Sequence, residues 1–122
     1  MATVKLTKDN FEQVITDNDI VFIDFWAAWC APCRMFAPVF EEASEKHPDI
    51  VFGKVDTEDQ PELAAYFNIR SIPTLMIFRE KIGIFSQAGA LPAAALEELI
   101  GKVRELDMDD VRRQIAEHEA QA

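Results

Sequence analysis

Cysteine, histidine and glycine are scarce in this chain, and each scarcity removes a class of function. Two cysteines in 122 residues cannot build the multi-bridge framework of a small secreted domain. Tetrahedral zinc needs four ligands, and besides the two sulfurs the chain offers only His47 and His118, both expected at helix ends or in a tail, so no metal is expected. The four glycines form no glycine-rich fingerprint after a strand, so no flavin or nicotinamide cofactor is expected either. No apolar run approaches the roughly 18 residues of a membrane span. Met1 to Leu6 passes into polar residues without the apolar core of a signal peptide, so the expected compartment is the cytoplasm. Cations are outnumbered, 12 Lys and Arg against 22 Asp and Glu, and the net charge of −10 argues against a surface built for nucleic-acid phosphates. The acidity itself names no substrate; it keeps a small protein in solution. A hydrophobic content of 49% fits an ordinary globular chain with a single core.

Against that background one stretch stands out. Ile20 to Trp26 is apolar and β-prone except for Asp24, a pattern that suits a strand buried on both faces. Ala27-Ala28-Trp29 then leads into Cys30-Ala31-Pro32-Cys33, and a helical pattern begins at Arg34. Both cysteines thus sit where a strand feeds a helix N-terminus, whose free N–H groups and positive dipole end favour an anion. A thiol placed there is drawn toward thiolate, the reactive form. Two sulfurs three residues apart at a helix start can also close into a small ring, one attacking and the other resolving a mixed disulfide. Asp24 is the oddity of the strand. An unpaired carboxylate among apolar neighbours is costly, and desolvation raises its pKa into the range useful for proton exchange near neutrality.

The rest of the chain alternates strand and helix signals. Val4 to Leu6 is a short strand, and Thr7 is placed to cap a helix from Lys8 to about Thr16. The cysteine-bearing helix contains Pro38, which should bend it. Ile50 to Val55 reads as a strand, and Pro61 opens a helix to Phe67 that Asn68 can end in a left-handed turn. Leu75 to Phe78 and Ile82 to Gln87 read as a hairpin. Its turn, Arg79-Glu80-Lys81, lacks a glycine, so a longer or shifted hairpin is expected. Leu91 to Arg104 is an amphipathic helix facing inward with Leu96, Leu99, Ile100 and Val103. Asp107 can cap a last helix through about His118, with Met108, Val111 and Ile115 on one stripe.

Trp29-Cys30-Ala31-Pro32-Cys33-Arg34 resembles the active-site signature of the thioredoxin family, with Ala31 and Arg34 where glycine and lysine are commoner. The resemblance extends over about residues 4–104 through Phe25-Trp26-Ala27, Lys54-Val55-Asp56, Ile69 to Thr74 and Gly89-Ala90. It implies an α/β thioredoxin fold: a central mixed sheet of about five strands flanked by four helices over residues 1–104, followed by a helical extension, 105–122. It further implies a protein-disulfide reductase that cycles Cys30 and Cys33 between dithiol and disulfide. Cys30 is then the nucleophile, and Cys33 resolves the intermediate. Asp24 assists deprotonation of Cys33, with Lys54 as the matching cation on the adjacent strand. By the same resemblance Pro73 is cis and packs against the cysteines, Ile72 offers its backbone to substrate, and Trp29, Ile72, Pro73, Gly89 and Ala90 form a shallow peptide groove. Trp26 packs beside the site. Trp29, Ala31, Pro32 and Arg34 tune the redox poise, Arg34 either holding the thiolate or standing as an exposed helix charge. The implied partners are disulfide-containing proteins and a separate thioredoxin reductase, with the chain itself a monomer. The rival readings are an oxidase or isomerase of the same fold, and a binding subunit acting through the groove or the terminal helix.

Overall fold

The computed structural model describes residues 2–121; Met1 and Ala122, the outer ends of the two expected segments, lie outside the described residues. Five strands, β1 (Thr3–Lys5), β2 (Ile20–Trp26), β3 (Val51–Asp56), β4 (Thr74–Arg79) and β5 (Ile82–Ala88), form one sheet in the order β1-β3-β2-β4-β5. β3 runs parallel to β1 and β2, whereas β4 is antiparallel to β2 and β5. The helices are α1 (Phe11–Asp17), α2 (Ala31–Lys46), α3 (Pro61–Tyr66), α4 (Ala93–Glu105) and α5 (Met108–Gln121).

Strand periodicity sorts the core into two layers. Ile20 and Phe22 of β2 join Phe52, Leu75 and Ile77 on the face that meets Phe36 and Phe40 of α2 and Leu96, Ile100 and Val103 of α4. Val21, Ile23 and Phe25 join Val55 and Met76 on the opposite face, against Ile15 of α1 and Leu63 of α3. β2 lies between two strands and under helices on both faces, which is why its apolar residues do not alternate with polar ones. Asp24 falls on the first face, in line with Ile20 and Phe22.

Three local expectations are corrected. α1 begins at Phe11 rather than Lys8. Thr7 Oγ1 accepts from the Asp9 N–H at 3.2 Å, while the Thr7 N–H donates to Asn10 Oδ1 at 2.7 Å, so a polar turn uses the residues expected to start the helix. The terminal helix runs to Gln121, and its stripe is only partly used: Met108 is buried, whereas Ile115 is exposed.

The hairpin is not lengthened. Arg79 pairs with Ile82, leaving Glu80 and Lys81 as a two-residue turn at φ +50° and +72°. The shift lies inside the sheet instead. Phe78 pairs with Gly83 but Ile77 with Phe85, so Ile84 is bulged. Tertiary contacts hold the turn: the Glu80 N–H donates to the Asp19 carbonyl at 2.8 Å, and Arg112 Nη1 meets the Glu80 carboxylate at 2.5 Å. Left-handed geometry at a side-chain-bearing residue costs about 1–2 kcal/mol. Lys81→Gly should relieve most of that, raising stability by about 0.5–1 kcal/mol after the added freedom of the unfolded chain is deducted. Thermal unfolding would register this as a rise of roughly 2–4 °C.

Candidate active site

The site is built where β2 ends and α2 begins. Cys30 is the N-cap of α2, with extended backbone (φ −88°, ψ 112°), and its Sγ accepts from the Cys33 N–H at 3.2 Å. Pro32 lies in the first turn, where its missing N–H removes no helix bond. Cys30 and Cys33 are joined in a disulfide, their Cα atoms 5.2 Å apart. Both are buried, forming a small cluster with Ala27 against which Trp26 and Ile72 pack. Ala27 is not among the expected site residues; its signals are a small side chain where strand turns to helix and its place in Phe25-Trp26-Ala27.

The facing wall is the loop before β4. The Ile72–Pro73 peptide bond is cis, and the Ile72 carbonyl oxygen lies 3.6 Å from Cys30 Sγ. Thr74 Oγ1 donates to the Ser71 carbonyl at 2.5 Å, and the Gly89 N–H donates to the Pro73 carbonyl at 2.8 Å. Gly89 adopts φ +110°, a conformation glycine takes without strain, which lets the end of β5 close on this loop. Around the sulfurs the rim is apolar. Trp29 is 67% exposed, Ala31, Pro32, Gly89 and Ala90 are exposed, and Ile72 is half-buried while Pro73 is buried. Met35, one turn beyond Ala31 on α2, is 73% exposed and extends that apolar surface. The i, i+4 spacing from Ala31 was the signal available for it.

Beneath the start of α2 sits the charged pair. Asp24 and Lys54 are Cα partners across β2 and β3, and alternation puts both on the α2 face with Trp26. Asp24 is fully buried, and neither carboxylate oxygen has a hydrogen-bond partner among the described residues. Burial pushes its pKa up to about 7, against the pull of the Lys54 ammonium. That ammonium lies 4.9 Å from the centroid of the Trp26 ring, a cation–π contact. Arg34 Nη1 donates to the Ala28 carbonyl at 2.8 Å, pinning the loop that carries Trp29. The arrangement therefore holds a disulfide that can accept two electrons, a buried carboxyl on the α2 face of β2 and an exposed apolar rim.

The comparisons agree with this geometry. The thioredoxin family model matches residues 2–102. A Streptomyces coelicolor relative assigned as a thioredoxin 2 is 63% identical over 121 residues, covering 99% of this chain and 90% of that protein. A thioredoxin of Alicyclobacillus acidocaldarius is 43% identical over 103 residues, 84% of this chain and 98% of that one. Among solved structures, a mutant thioredoxin from Halobacterium salinarum superposes with a TM-score of 0.79 at 32% identity, over 86% of this chain and 93% of the other. With a family match across most of its length and a cysteine pair closed into a disulfide at the start of α2, the chain belongs to the thioredoxin family of thiol–disulfide oxidoreductases.

Proposed function

We propose that the chain reduces protein disulfides through Cys30 and Cys33. The Cys30 thiolate attacks one sulfur of the substrate, forming a mixed disulfide and releasing the first substrate thiolate. Cys33 then gives up its proton and attacks Cys30 Sγ, releasing the second substrate thiol. Two electrons pass to the substrate, and this chain is left as the disulfide. The family's electron donor, a thioredoxin reductase, returns those two electrons. The observation that carries this reading is the Cys33 N–H directed at Cys30 Sγ in the first turn of α2, a donor that also suits a thiolate at that atom.

Asp24 is the acceptor for the Cys33 proton. Its burial on the α2 face and its pKa near 7 support that role. Lys54 limits how far that pKa rises. Substrate lies in extended form across Trp29, Ile72, Pro73, Gly89 and Ala90, bonding to the backbone of Ile72 as an added strand would. Ala31 and Pro32, with Trp29 beside them, set the redox poise; the absence of a histidine between the cysteines favours a reductant. Arg34 acts on poise through the loop it pins. The catalytic domain spans residues 1–104 and the helical extension 105–122; the protein works as a monomer. A reversible cysteine pair suits the reducing cytoplasm.

The test is dithiothreitol-driven reduction of insulin, followed by turbidity. Catalysis well above dithiothreitol alone is expected, and none above that background would end the proposal.

A further inference from the structure

Seven of the 12 cations lie within ion-pair distance of a carboxylate among the described residues. The other five are Arg34, Lys54, Arg70, Arg79 and Lys81. Of these, Lys54 is committed to the Trp26 ring and Arg79 donates to the Val103 and Leu106 carbonyls, both at 2.7 Å. Lys81 sits at the hairpin tip, which the antiparallel course of β4 places at the end of the sheet away from the cysteines. That leaves Arg34 and Arg70, both exposed and both close in sequence to residues of the site.

Arg34 follows Cys33 directly and is fixed over the Ala28 carbonyl, two residues before Cys30. Arg70 stands two residues before Ile72, whose carbonyl lies 3.6 Å from Cys30 Sγ, and its Nε donates to Asn68 Oδ1 at 3.3 Å. One guanidinium therefore belongs to the α2 wall of the site and the other to the loop entering β4. Each is held by a neutral oxygen, so its charge is uncancelled locally. The acidic residues of the connection after β3 follow a strand that does not pair with β4. Asp56 Oδ1 accepts the Glu58 N–H at 2.9 Å, and Asp59 lies 4.0 Å from Lys5.

We propose that Arg34 and Arg70 form a cationic margin around the disulfide and select polypeptide substrates whose cysteines are flanked by Asp or Glu. The proposal rests on the reductase reading above and adds the substrate class. It runs against the whole-molecule field, because a net charge of −10 alone would favour basic substrates. At an ionic strength near 0.15 M, however, charges beyond about 8 Å fade, and those beside the reacting sulfurs dominate.

The test uses two disulfide-looped peptides that are identical except for acidic or lysine residues next to the cysteines. Reduction by the dithiol form is measured as kcat/KM at 0.15 M and 1 M salt. The acidic peptide should be preferred about fivefold at the lower salt and not at the higher. The double variant R34Q/R70Q should abolish the preference, and R34K/R70K should restore much of it. Any change in intrinsic thiol reactivity cancels in the ratio of the two peptides. Equal rates, a lysine preference at 0.15 M, or a preference that survives in R34Q/R70Q would overturn the proposal while leaving the reductase reading intact. Reduction of neither peptide by the wild type would remove both.

Discussion

Cys30→Ser should bring insulin reduction down to the dithiothreitol background, whereas Cys33→Ser should fail later, as a trapped covalent adduct. The difference follows from the two sulfur positions. Cys30 Sγ is the acceptor at the helix cap and lies against the Ile72 carbonyl, on the side where the apolar rim opens. A serine there has no accessible anion near neutral pH and forms no bond to substrate sulfur. Cys33 lies within α2, and in the proposed cycle it acts only after the mixed disulfide exists. Without it, release depends on external thiol, and the lost proximity should slow turnover by at least about 10²–10³-fold. Mass spectrometry of Cys33→Ser mixed with an oxidised peptide should show the protein plus one peptide; Cys30→Ser should show the protein alone. Adduct formation by Cys30→Ser and not by Cys33→Ser would reverse the assigned order of attack.

How much of this could be read beforehand depends on how local the cause is. The strand Ile20–Trp26 and the helix after it were legible because burial on both faces erases alternation and the cysteine pair marks the junction. Asp24 stood out for a related reason: a single carboxylate within a buried strand has few explanations. The cis bond before Pro73 could not be argued from local preference, which favours trans; it came from the family resemblance. The hairpin is shifted, by the bulge at Ile84, but its turn stays at two residues because Asp19 and Arg112, remote in sequence, support the left-handed Glu80 and Lys81. The start of α1 was misplaced because Thr7 and Asn10 have a competing use for their side chains and backbone. Arg34 was the least legible, since neither charge nor helix position points to the Ala28 carbonyl. Isolating it and Arg70 as unpaired cations required knowing which other cations already had partners.

Asp24→Asn should stabilise the oxidised protein at pH 8 by about 2–4 kcal/mol while slowing turnover. The buried carboxyl titrates near 7 in the fold and near 3.8 when exposed. Below about pH 3 it is protonated in both states and adds no pH-dependent penalty. Between about 3 and 7 the folded state keeps a proton that the unfolded state has released, so stability falls as pH rises. Above 7 both forms are ionised and the full penalty remains, at most about 4 kcal/mol for a shift of roughly three pH units. Subtracting wild-type from variant unfolding free energies at each pH removes the contribution of every other carboxylate. That difference should be near zero at about pH 3, rise through the interval and level off above 7. If Asp24 takes the Cys33 proton as proposed, wild-type resolution of the mixed disulfide should quicken as Asp24 ionises near pH 7. The variant should lose that inflection and run about 10–100-fold slower, the lower range for removing a positioned base. A stability difference that stays flat from pH 4 to 8 would mean that the Asp24 carboxyl meets water or a cation it does not face here, and its role toward Cys33 would lose its physical basis.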